Sequence, residues 1–80
     1  MRDKERQTEV LRRLKRAAGQ VAGVIRMVED GRDCGDVIQQ VKAVRTAMDA
    51  AGKLVLACHL EELVAEGKDT DGALSLLMNF

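Results

Sequence analysis

The 80-residue chain has no tryptophan, tyrosine or proline, a single phenylalanine (Phe80), a single histidine (His59) and two cysteines, Cys34 and Cys58. Without other aromatic rings the core has to be Val, Leu, Ile, Met and Ala, and without proline nothing interrupts a pattern that reads as helix almost throughout. No run of about 18 uncharged apolar residues occurs, so no membrane partner is expected. The opening MRDKERQTEV lacks the apolar stretch of a secretion signal, and we expect a cytoplasmic protein with reduced cysteines. Eighty residues make one domain, 1–80. A domain this small buries a modest share of its surface and often needs a staple, a metal or a partner subunit.

The formal net charge of zero hides an asymmetry. Residues 1–26 carry eight basic side chains against three acidic ones, and residues 27–80 carry five against ten. A basic first third suggests a face meant for a polyanion, although such runs also serve as solvated helix faces.

Apolar residues at Val10, Leu11, Leu14, Ala17, Val21, Val24, Ile25 and Val28 follow steps of three and four, which predicts a first helix over 4–30. Arg12, Arg13, Lys15, Arg16 and Gln20 fall largely on its other face. Gly19 and Gly23 each cost about 1 kcal/mol relative to Ala, and close packing of another helix explains them better than a hinge. Gly31 ends this helix, and Asp33 caps the next.

The second helix carries a seam of the coiled-coil kind: Val37, Val41, Val44, Met48, Ala51, Val55 and Cys58. Ile38, Ala47, Leu54, Leu56, Leu63 and Val64 widen it beyond one stripe, so part of it needs cover from another subunit. Glu66-Gly67 closes this helix, and Asp69 or Thr70 caps a short, largely apolar third one.

No phosphate-binding loop, nucleophile triad or paired-carboxylate site is recognisable, and we expect no enzyme. Cys34, Cys58 and His59 remain, and soft thiolate plus imidazole suits Cu(I), Zn or Ni. Each also has an ordinary reading: Cys58 as a small core residue, His59 as a hydrogen-bonded surface residue. Cys34 stands at a helix start, where free N–H groups favour thiolate, while Asp33 and Asp36 oppose it. Twenty-five residues separate Cys34 from His59, roughly 36 Å along a helix, so one chain cannot bring them together. Two antiparallel copies can, twice over.

Residues 14–64, LKRAAGQVAGVIRMVEDGRDCGDVIQQVKAVRTAMDAAGKLVLACHLEELV, carry a basic first helix ending in GQ-x-x-G-x-x-x-M-x-E, a cysteine at the next helix start and a histidine 25 residues later. This combination resembles the copper-sensing-repressor (CsoR/RcnR/FrmR) family of bacterial regulators, over about residues 9–66. The resemblance implies an all-α fold with a three-helix protomer: two long antiparallel helices plus a short C-terminal one. It implies a dimer around a four-helix core, and a homotetramer built as a dimer of dimers. It further implies a repressor that binds double-stranded operator DNA through basic surfaces and releases it when an inducer binds near the cysteine. Metal-sensing members join the Cys of one subunit to a His and a further ligand of the other; Cys34 and His59 match the first two.

The chain also departs from the family pattern. Leu63 stands where copper sensors have Cys and nickel or cobalt sensors often have His, leaving Cys58 or Glu62 as nearby substitutes. The implied cofactor is a transition metal, Cu(I) first, with Ni, Co or Zn as alternatives. A second reading keeps the repressor but makes Cys34 a reactive thiol toward persulfide or formaldehyde, with Cys58 as resolving thiol. A third is a helical assembly module without a DNA role. For DNA, Arg13 and Lys15 match basic family positions and Arg12 and Arg16 extend the same face, while a basic position expected in the second helix is Ala50, with Arg45 or Lys53 as substitutes.

Overall fold

The computed structural model describes residues 1–80 as three helices, α1 (Lys4–Glu29), α2 (Cys34–Ala65) and α3 (Asp71–Met78). Local chemistry sets their ends. The Asp3 carboxylate accepts hydrogen bonds from the N–H groups of Glu5 (2.9 Å) and Arg6 (3.2 Å), starting α1. Both long helices stop the same way, at a glycine with φ of +68°, Gly31 and Gly67. In each case the glycine N–H donates to a carbonyl three residues back (Val28, Val64) and the next N–H to one five back (Met27, Leu63). A side chain at that φ would be strained, which is why the sequence turns here. Asp33 caps α2, its carboxylate accepting from the Gly35 N–H at 3.1 Å. At α3 the Thr70 side chain makes no capping bond, and the Asp69 carboxylate accepts from the Asp71 N–H at 2.9 Å instead.

The short connection between α1 and α2 makes them antiparallel neighbours, and α3 packs on α2 alone. The protomer measures 53 × 26 × 12 Å. Its shortest dimension is about one helix diameter, so the chain is a single layer of helices. A stable domain normally needs two packed layers around its core. Accordingly only Val10, Ala17, Ala51, Leu56, Cys58 and Ala73 are buried, while sixteen large apolar side chains stay exposed.

The exposure is ordered. On α2, Val37 and Val44 are half-buried and Ala51 and Cys58 buried, whereas Val41, Met48 and Val55 lie open. The single seam expected from sequence thus divides between α1 and a largely open face, which the chain itself covers only at Gly52, under the Phe80 ring. On α1, Leu11, Leu14, Val21, Ile25 and Val28 form a second open stripe. Within the protomer no helix meets the two glycines: Gly19 has nothing within 4 Å of an added Cβ, and Gly23 meets only the Arg26 side chain at 3.9 Å. Both lie on the outward, basic face of α1, so no helix of the same chain packs against them. No helix is long and apolar enough to cross a membrane.

Candidate functional site

Cys34 is the first residue of α2, exposed and not in a disulfide. His59 is exposed near the other end of the same helix. At about 100° per residue the interval between them closes to within about 20° of whole turns, so both lie on one face. The residues linking them, Ile38, Val41, Arg45, Met48, Gly52 and Val55, alternate steps of four and three, and form a stripe of α2 that is open at every position but Gly52, which lies under Phe80. The metal-ligand candidates therefore stand at the two ends of a largely open seam. Within one chain no three His, Cys, Asp or Glu side chains come together as a metal-binding group.

Around His59 the chain forms a pocket of about 220 Å³ lined by Met1, Val55, Cys58, His59 and Glu62. Cys58, one step round the helix, faces α1 and is buried. Burial pushes its thiol pKa up, and the Glu62 carboxylate adds to this, so the proton is held. Its Sγ lies 3.9 Å from Glu62 Oε1. That oxygen also accepts the Arg2 backbone N–H at 3.2 Å, the main reason the Glu62 pKa is lowered. Leu63 is half-buried. Cys34 and Cys58 stand too far apart along α2 to form a disulfide within the chain. His59 also borders a second, apolar pocket with Gly52, Val55, Leu56, Leu76 and Phe80, in which the Phe80 ring lies over Gly52.

The basic candidates gather elsewhere. Arg12, Arg13 and Arg16 line a cleft of about 430 Å³ with Gln20, Ala43, Thr46, Ala47 and Ala50. The Glu9 carboxylate accepts from Arg12 (2.7 and 3.0 Å) and Arg13 (3.0 Å), which lowers its pKa to about 2. One carboxylate thus orients two guanidinium groups. Arg16 and Lys15 make no ion pair and are exposed, and the buried Gln20 Oε1 has no hydrogen-bond partner. The cleft therefore keeps a positive excess and an unused acceptor. Ala50 lines it, and neither Arg45 nor Lys53 does. Arg45 lies on the open stripe of α2, outside this cleft.

A family model for metal-sensitive transcriptional repressors matches residues 6–79. The copper-sensing transcriptional repressor CsoR of Mycobacterium ulcerans (strain Agy99) is 42% identical over 59 residues, covering 74% of this chain and 49% of that protein. CsoR of Bacillus subtilis (strain 168) is 39% identical over 74 residues, covering 89% of this chain and 73% of the relative. The chain thus spans about half the length of the mycobacterial protein and most of the bacillar one. The crystal structure of the copper-sensing repressor CsoR with Cu(I) from Geobacillus thermodenitrificans NG80-2 superposes with a TM-score of 0.80 at 32% identity, covering all of this chain and 91% of that one.

Proposed function

Starting from the fact that the chain belongs to the metal-sensitive transcriptional repressor family, we propose that it is a homo-oligomeric repressor of operator DNA whose inducer is Cu(I), bound between subunits by Cys34 and His59. The observation that carries this reading is that both residues lie on one face of α2, open to solvent except where Phe80 lies over Gly52. An antiparallel second copy that sets Cys34 against His59 of the partner subunit also sets Ile38 against Val55 and Arg45 against Met48, brings Val41 onto the Phe80 ring that lies over Gly52, and repeats each pair across the two-fold axis. One register buries the stripe and builds two sites. The donor set fits a soft ion: Cys34 is an accessible, unbridged thiol and His59 an accessible imidazole.

Each side chain then has a role. Cys34 would hold the ion through its sulfur and His59 through a ring nitrogen. A bound Cu(I) would supply a bond between subunits at each end of the paired helices. Arg12, Arg13, Lys15 and Arg16 of each protomer contact phosphates, positioning the assembly on the duplex. Tying the ends of the two α2 helices fixes how the protomers cross, and so the separation of their basic clefts. Release follows if the tied geometry fits DNA less well than the untied one. Reduced protein should shift a fragment from upstream of its own operon, and Cu(I) should reverse the shift. A Cys34→Ala protein that binds DNA but still releases it with Cu(I) would contradict the assignment.

A further inference from the structure

The proposed site lacks its third ligand, because Leu63 offers only hydrocarbon. Four groups near His59 compete for the place. Leu63 is excluded by chemistry. Cys58 faces α1 from a buried position. Glu62 is a hard oxygen donor that already accepts the Arg2 N–H and neighbours the Cys58 thiol. Met1 is the fourth. It lines the same pocket as His59, is 48% exposed, and carries a thioether with no other use in the fold.

The segment before α1 and its first turn are held in place by named partners. The Arg2 N–H bonds to Glu62, the Arg2 guanidinium pairs with Glu66, and Arg6 pairs with Glu61 at 2.5 Å, all at the end of α2. The Asp3 cap fixes the chain between Arg2 and Arg6. Methionine at position 1 is therefore set against the exposed end of the α2 stripe, where the partner's Cys34 arrives in the antiparallel register.

We propose that the Met1 thioether sulfur is the third donor of the Cu(I) site, beside His59 of its own chain and Cys34 of the partner subunit. This rests on the reading given above. Thioether is a soft ligand suited to Cu(I) and poorly suited to Zn or Mg. One thiolate, one imidazole and one thioether around Cu(I) give a neutral complex. Glu62 or a Cys58 thiolate in the third place would leave a net negative charge at a subunit boundary, which costs desolvation.

The test places selenomethionine at residue 1 alone, in a Met27→Leu, Met48→Leu, Met78→Leu background, with the chain mass confirming residue 1. Leucine for methionine conserves volume, so the fold should persist. X-ray absorption of the Cu(I)-loaded protein is expected to show selenium and copper as bonded neighbours from both edges. Copper bound to sulfur and imidazole nitrogen with no selenium neighbour overturns the Met1 assignment and leaves the Cys34/His59 site standing. Copper binding that is absent, or indifferent to Cys34→Ala and His59→Ala, overturns both. A second measurement uses the unsubstituted protein labelled at the methionine methyl carbons. One equivalent of Cu(I) per chain should shift the Met1 resonance most, and a Met1 resonance that stays in place sinks the proposal.

Discussion

Substitution at Met48 with opposite charges tests both the second layer and its register. Met48 is 46% exposed in the protomer, at the middle of the open α2 stripe. Full burial of such a side chain stabilises by about 1.5–3 kcal/mol, so pairing two chains gains about 1 kcal/mol from each Met48, or about 2 per dimer. Lysine or aspartate forfeits this equally. The proposed register, however, sets residue 48 against Arg45 of the partner subunit, twice. Charges at a partly wet interface interact by about 1 kcal/mol per pair. Met48→Lys should therefore weaken the dimer by about 4 kcal/mol, roughly a thousandfold in dissociation constant, whereas Met48→Asp should fall within about tenfold of the original. Sedimentation velocity across a dilution series reads both, with far-UV circular dichroism confirming helix content. Met78→Lys serves as a control, since Met78 is 86% exposed on α3, away from the stripe. Equal weakening by lysine and aspartate would refute the register. No weakening by either would refute the stripe as an interface.

Other expected outcomes follow from the basic cleft and from the packing of Phe80 on α2. Replacing Arg12, Arg13, Lys15 or Arg16 by Ala should each lower the slope of log affinity against log salt by about 1 for every phosphate no longer neutralised, measured by fluorescence anisotropy with operator DNA. Glu9, with a folded pKa of about 2 against an ordinary 4.5, contributes stability that is present above pH 4.5 and fades as pH falls toward 2. A carbon-detected titration of its carboxyl should find the low midpoint and see it rise in Arg12→Ala. A Cβ at Gly52 would overlap the half-exposed Phe80 ring and push it aside, so in denaturant unfolding Gly52→Ala should gain less than the about 1 kcal/mol that Ala brings to a helix, and gain it in full in a Phe80→Ala background.

The helix boundaries are legible in the sequence because each rests on one residue acting locally. Gly31 and Gly67 supply the positive φ, and Asp33 supplies the cap. The need for a partner is legible too, since the apolar positions of α2 outnumber what one neighbouring helix can cover. How the seam divides is not. A heptad pattern states that Val37 and Val41 are both apolar, and only the antiparallel packing of α1 decides that the first turns inward and the second stays open. The glycines are undecided by sequence for the same reason: Gly19 and Gly23 have the spacing of a packing motif, and only the fold shows that they sit on the outward face of the protomer. Cys34 and His59 stand out by residue type and spacing, and the arginine face by charge. Met1 carries no motif, because its place beside His59 depends on Arg2 reaching Glu62, a hydrogen bond between residues sixty apart in the chain. The opposition of Glu9 to both Arg12 and Arg13 is readable from i,i+3 and i,i+4 spacing, although charge counting alone passes over it.

A metal site shared between two chains is tested most directly by mixing two defective ones. Cys34→Ala and His59→Ala proteins, each unable to form a complete site with itself, can be unfolded together in equal amounts and refolded. Random pairing makes half of the dimers mixed, and the antiparallel arrangement gives each mixed dimer one intact Cys34/His59 site and one doubly empty one. Cu(I) bound per chain should therefore be near zero for either variant alone and recover to about a quarter of the unsubstituted value in the mixture. A mixture that binds no more than its separate components would contradict a site shared across the subunit boundary.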